Sequence, residues 1–202
     1  MRQIAVGVVY HSSFGHTAVL AEAVAEGVRH ADAIAHVIPA DTITEAQWER
    51  LDACDAIVFG SATRMGNVSA EFQRFSEATA KRWLANAWQD KIAAGFANSG
   101  CKSGDKLHTL MSMSLLAAQH GMHWVNLGLK PGWNTRDACE DDLNRFGFFL
   151  GAGAQSLEDA GPDETHKSDI ETCRRLGERV AATAAVFHAG RQALRAAAGA
   201  GV

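Results

Sequence analysis

Ile4-Ala-Val-Gly-Val-Val-Tyr10, followed at once by His11-Ser12-Ser13-Phe14-Gly15-His16-Thr17, is the stretch whose reading decides the fold. The first half is an unbroken apolar run rich in β-branched residues, the pattern of a strand buried on both faces of a sheet. The second half is polar, and beyond it Val19, Leu20, Val24 and Val28 recur at helical spacing across residues 17–29. The alternation continues outward. Strands are expected at 34–38, 56–60, 92–97 and 123–127, and helices at 45–53 (capped by Thr44), 70–84 and 106–120. Residues 130–145 lose the pattern, 146–150 read as strand-like, and 163–187 read as a long last helix. Strands alternating with helices predict an α/β three-layer sandwich around a five-stranded parallel sheet. One domain is expected over 1–188, with an Ala- and Gly-rich tail over 189–202.

Composition narrows the class. The 202 residues fit a single domain, and 47% hydrophobic with 21% charged residues is ordinary for a globular chain. Lys and Arg number 19 against 23 Asp and Glu, a net charge of −4, which argues against a dedicated nucleic-acid binder. No apolar run approaches the ~18 residues a membrane span needs. The opening apolar run is short and no small-residue cleavage site follows it before Glu22, so no export signal is expected. Cys54, Cys101, Cys139 and Cys173 lie far apart without a CxxC pair, so reduced thiols and a cytoplasmic location are expected.

Parallel sheets of this kind bind ligands beyond the carboxyl ends of their strands. After the first strand, Ser12, Ser13, Gly15 and Thr17 lead into a helix N-terminus, where unpaired N–H groups and the helix dipole favour an anion. The triphosphate loop GxxxxGK[ST] and the dinucleotide fingerprint GxGxxG are both absent from this position, as is a GxSxG elbow. A short hydroxyl-rich loop suits a monophosphate, which points to flavin mononucleotide. After the third strand, Gly60-Ser-Ala-Thr-Arg-Met-Gly-Asn-Val-Ser69 leaves small residues to face a planar ring, and Arg64 offers a fixed positive charge. After the fourth, Asn98-Ser-Gly-Cys-Lys-Ser-Gly104 forms a second polar wall.

These segments resemble the flavodoxin-like quinone reductases of the WrbA family. The family pattern S-x-x-G-H matches Ser12 to His16, its G-[ST]-P-T-R-[FY]-G-N-[MV]-S segment matches Gly60 to Ser69, and its His-His-Gly-Met stretch matches Gln119 to Met122. The likeness spans residues 4–188 with gaps. It implies FMN as cofactor, NADH or NADPH as donor, and a homo-oligomer, dimer or tetramer. It implies phosphate contacts from Ser12, Ser13, Phe14, Gly15, His16 and Thr17. Ring contacts are implied at Thr63, Arg64, Met65 and Gly66 and at Ala97, Asn98, Ser99, Gly100, Cys101 and Lys102. His120 is implied near the ring, and Trp83 stacked on nicotinamide or quinone. The chain departs from the family at Ala62, where the family has Pro, at Met65, where it has an aromatic, and at Cys101, Lys102 and Asp105, where its loop is richer in Gly.

The expected activity is two-electron, ping-pong reduction of quinones or related acceptors by NAD(P)H. His120, whose ordinary pKa lies near neutral, is the candidate catalytic residue for orienting or protonating the acceptor. An equal alternative is a helix-terminal His held by the last carbonyls. His120 and His123 have a metal-like spacing but no third ligand, so no metal site is expected. The competing functions are a flavodoxin-type electron carrier, which the modest acidity fits poorly, and a flavodoxin-like scaffold with impaired flavin binding. Trp133 sits in the patternless stretch, either at a subunit contact or on a decorated edge.

Overall fold

The computed structural model describes residues 2–199. In chain order the elements are β1 (Ala5–His11), α1 (His16–His30), β2 (Ile34–Pro39), α2 (Glu45–Ala53), β3 (Ala56–Arg64), β4 (Asn67–Val68), α3 (Ala70–Ala78) and α4 (Ala80–Leu84). There follow β5 (Ile92–Ser99), α5 (Lys106–Gln119), β6 (His123–Trp124), β7 (Ala152–Gln155) and α6 (Lys167–Gly199).

The sheet runs β2-β1-β3-β5-β6, all parallel, as expected for five strands, with two additions. The short β4 folds back antiparallel on the end of β3, and β7 pairs with β5 beyond β6. One edge position is therefore shared: β6 lies beside Ile92 and Ala93, β7 beside Phe96 to Ser99. The chain between them forms the irregular excursion.

Because successive strand residues point to opposite faces, each buried strand feeds two cores. Val6, Val8, Val58 and Phe96 pack under α1 and α6 with Leu20, Val24, Leu176 and Val180. Val9, Ile57 and Phe59 pack on the other face with Trp48, Phe72, Phe75, Trp88 and Met113. The second core is built around stacked aromatics: Trp48 and Phe75 lie parallel with centroids 5.0 Å apart, and the Arg82 guanidinium covers Trp48 at 4.1 Å.

Several boundaries differ from the sequence expectation: β3 and β5 run on to Arg64 and Ser99, and the strand expected over 123–127 is only His123–Trp124. The single helix expected over 70–84 is broken at Thr79, whose hydroxyl donates to Ser76 O at 2.6 Å while Ser76 Oγ donates to Phe72 O. Such back-bonding hydroxyls bend helices. Residues 146–150 are not a strand: Asn144, at φ 51°, takes Phe148 N on its Oδ1 and gives its Nδ2 to Phe148 O, so side-chain bonds hold the segment where a strand ladder would. The strand forms instead at 152–155. Finally, α6 starts at Lys167, after a 3-10 turn at Pro162–Glu164, and continues past Phe187 through helix-favouring Ala, Arg, Gln and Leu. The expected tail is thus helical over 189–199, and its residues 200–202 lie outside the described part.

Candidate functional site: a cradle at the carboxyl end of the sheet

Register decides where the site forms. His11 pairs with Ser61, Ser61 with Ala97, and Asn98 with Ala154, so β1, β3, β5 and β7 end side by side. Their four exit segments enclose a cavity of about 540 Å³, bordered by Phe14, His16, Thr63, Ser99, Glu158 and Pro162. That lies within the ~300–1,000 Å³ range of small-molecule sites.

The first segment is the β1–α1 loop. Gly15 is the N-cap of α1 at φ 90°, a conformation that L-side chains rarely adopt, and no side chain caps the helix. Backbone N–H groups from Ser12 through Thr17 donate to no group among the described residues. A row of unpaired amides at a helix start is a ready anion site. His16 donates from Nε2 to Ala160 O at 3.0 Å, which ties this loop to the segment leaving β7.

The second segment is the β3–β4 hairpin. Thr63 pairs with Val68 and Arg64 with Asn67, and the two turn residues Met65 and Gly66 both have positive φ, 47° and 78°. That is the type I′ geometry favoured in two-residue hairpins. Met65 is fully exposed at the tip, and Arg64 lies over the exposed Phe14 ring at 5.2 Å.

Residues 99–105 form the third segment. Lys106, fully buried, donates from Nζ to Ser99 Oγ at 2.9 Å, Cys101 O at 2.7 Å and Lys102 O at 3.1 Å. Lys102 is exposed, its Nζ 4.9 Å from the Trp133 ring centre. The first turns of α5 also hold the opposite hairpin: His108 donates from Nδ1 to Gly66 O at 2.7 Å, Ser112 Oγ donates to Asn67 Oδ1 at 2.7 Å, and the Thr63 and Thr109 hydroxyls meet at 2.9 Å.

The fourth segment, 156–162, was not singled out by sequence reasoning. Ser156 exchanges hydrogen bonds with the Asn98 side chain at 3.0 and 3.2 Å, and Pro162 lies against Gly15. Its position follows the strand-end rule once the last strand lies at Ala152–Gln155 and not at 146–150.

Of the expected cofactor residues, Phe14, His16, Thr63, Arg64, Asn98, Ser99 and Gly100 border this cavity, whereas Met65, Gly66, Cys101 and Lys102 do not. Ala97 does not reach it, being fully buried in the sheet, whereas Asn98 borders it with its side-chain amide bonded to Ser156. His120 and Trp83 stand elsewhere. They border a separate cavity of about 660 Å³ between α3–α4 and α5. The 14-residue α5 separates His120 from the cradle by about 21 Å at 1.5 Å per residue. His120 donates from Nε2 to Thr79 Oγ1 at 2.9 Å, because the Thr79 hydroxyl proton is already given to Ser76 O. Its Nδ1 is the one buried side-chain polar atom without a partner among the described residues. Burial, with the ring 4.7 Å from Trp88, lowers its pKa and keeps the imidazole neutral.

A family profile described as the flavodoxin domain matches residues 7–116, which hold the first three walls of the cradle. The chain belongs to the flavodoxin family. It is 40% identical over 182 residues to "Flavodoxin FldP" of Pseudomonas aeruginosa, covering 90% of this chain and 97% of that one. It is 31% identical over 199 residues to the "NAD(P)H dehydrogenase (quinone)" of Archaeoglobus fulgidus, covering 88% and 95%. Among solved structures, a flavodoxin, WrbA-like protein from Agrobacterium tumefaciens is 42% identical, with a TM-score of 0.71 over 90% of this chain and 98% of that one.

A flavodoxin domain implies FMN, and the residues present fit it. The unpaired amides of Ser12 to Thr17 and the positive φ of Gly15 suit a phosphate, and residues 62–64 and 98–100 border the cavity as two walls for a flat ring. No helix among the described residues is long and apolar enough to cross a membrane.

Proposed function

We propose that this chain is an FMN-dependent NAD(P)H:quinone oxidoreductase of the cytoplasm, reducing quinones or related acceptors by two electrons at a time. The observation that carries this reading is the open mouth of the cradle. Phe14, which borders it, and Met65, next in sequence to the bordering Arg64, stand exposed, so a planar donor or acceptor has access to stack where the ring would lie. The names of relatives about 31% identical support the same activity.

FMN, when bound, supplies the redox centre. The chain's own residues bind and orient: Ser12 to Thr17 hold phosphate, Thr63 to Gly66 and Ser99 to Lys102 flank the ring, and Arg64 places positive charge beside it. Met65 gives that wall a flexible, polarisable edge. His120, about 21 Å from its own cradle along α5, and Trp83, which borders the same separate cavity as His120, would serve a flavin only across a contact with another copy of the chain. A homo-oligomer, dimer or tetramer, is part of the proposal.

The deciding experiment adds NADH or NADPH without oxygen to the FMN-loaded protein while the visible spectrum is recorded. Rapid full bleaching, reversed by benzoquinone, is the expected result. A flavin that ignores both nucleotides favours the electron carrier, the reading supported by the relative named flavodoxin at 40% identity. Failure to hold FMN favours the scaffold. Mixing Gly15→Ala with His120→Gln subunits tests the shared site: recovery of activity in the mixture is expected, and none sinks it.

A further inference from the structure

Resting on the flavin-binding reading, we propose that Lys106 is a positioning residue of the flavin site: its buried ammonium draws the carbonyls of the 99–105 loop inward and so turns the loop's N–H groups out toward the ring. In a trans peptide the C=O and N–H point in opposite directions. With Cys101 O and Lys102 O both accepting from Lys106 Nζ, the N–H groups of Lys102 and Ser103 face away from it. Backbone N–H groups from Gly100 through Gly104 donate to nothing among the described residues. They form a run of free donors that begins at Gly100, which borders the cradle, where the oxygen and nitrogen acceptors of a flavin would meet them.

The cation is otherwise hard to account for. Lys106 is fully buried, with the faces of Phe146 and Phe148 5.1 and 5.7 Å from Nζ. No carboxylate among the described residues lies within ion-pair distance of it. The charged or titratable groups that face it are Asp169 on α6, Arg145 on the excursion and Cys101 on the loop. Burial pulls its pKa down to about 8, so at neutral pH the charge is kept against desolvation. An apolar side chain would fill the same space without that cost. What the cation adds is three directed hydrogen bonds, all to the one loop.

The same helix fixes the opposite wall through His108, Thr109 and Ser112. The first turns of α5 therefore set the spacing between the two ring-facing loops, and Lys106 sets the facing of one of them.

The test is Lys106→Met, which keeps the length and removes the donors. Wild type and variant are titrated with FMN and, separately, with riboflavin, following flavin fluorescence, and the visible spectrum of each bound flavin is recorded. The variant should lose affinity for both flavins by the same factor, about tenfold or more, with a shifted bound-flavin spectrum. The preference for FMN over riboflavin, set by Ser12 to Thr17, should not change. Unaltered affinities and spectrum, or a loss confined to FMN, overturn the proposal. Ser99→Ala removes one acceptor and covers a variant that does not fold: it should weaken both flavins in parallel by about fivefold, and no loss overturns the idea equally. A wild type that binds neither flavin removes the flavin reading and this proposal together, whereas a wild type that binds both beside an equally tight Lys106→Met removes this proposal alone.

Discussion

Gly27 and Gly177 face each other where α1 crosses α6, and each leaves room for the other helix's backbone. A Cβ on Gly27 would stand 1.9 Å from Arg174 O, and one on Gly177 2.0 Å from Val24 O. In an isolated helix Gly→Ala stabilises by roughly 1 kcal/mol. Here the sign reverses, because the methyl meets backbone that cannot rotate away. Gly27→Ala and Gly177→Ala should each destabilise by about 1–3 kcal/mol, read from urea denaturation midpoints. A neutral or stabilising result contradicts the close crossing.

Gly15→Ala acts on the cradle. At φ 90° an alanine is strained, and its methyl would lie 2.7 Å from Pro162 Cγ. The anion loop and the segment after β7 would have to part. FMN affinity is expected to fall by about tenfold or more, with a smaller effect on riboflavin, which lacks the phosphate. Equal loss for both flavins in a fluorescence titration would move the phosphate site away from this loop.

Asp169 anchors the excursion and the last strand at once. Its carboxylate receives Nε and a terminal nitrogen of Arg145 at 2.8 Å each and also accepts Gln155 N at 3.0 Å, with both side chains almost wholly buried. Removing one member of such a pair strands the other charge, at a cost of about 3–5 kcal/mol. Asp169→Leu should show that loss in urea, and Arg145→Met combined with Asp169→Leu should recover much of it. A double variant as weak as the single one argues that packing, not stranded charge, dominates.

His120 gives stability a pH dependence of definite sign. Burial places its folded pKa below the ordinary 6.5, so on acidification the unfolded chain takes up the proton first. Stability is full above pH 6.5 and declines as the pH falls from there toward the folded value. His36 is shifted the same way by burial and Arg50. Urea midpoints measured from pH 7.5 to 5 should fall less steeply in His120→Gln than in wild type. An unchanged slope would show that the imidazole is not held neutral.

How much of this was legible beforehand depends on what each residue had to do. β1, β3 and β5 are buried on both faces and so carry continuous apolar runs, and their order and the two flexible walls follow from sequence. β7 does not announce itself: Ala152-Gly-Ala-Gln155 has no β-branched residue, while the aromatic Phe146-Gly-Phe-Phe-Leu150 beside it resembles a strand. Phe146 and Phe148 instead face the cations of Lys106 and Arg145. The family motifs point to His120 and Trp83 but carry no distance; the length of α5 puts His120 away from the cradle, and Trp83 borders the same separate cavity. Lys106 gave no signal as a lone lysine at a helix start. Its significance lies in three acceptors that converge only in the folded loop.

The shared edge position has a consequence for how the molecule is made. The cradle's fourth wall hangs from β7, which cannot pair with β5 until the long intervening excursion has emerged and closed, and non-local closures of this kind are slow relative to local strand–helix–strand assembly. On the ribosome the phosphate loop and hairpin are therefore available well before Ser156, Ala160 and Pro162 can reach them. Tight retention of flavin would then wait on β7 and the segment after it, long after the phosphate loop and hairpin have been made.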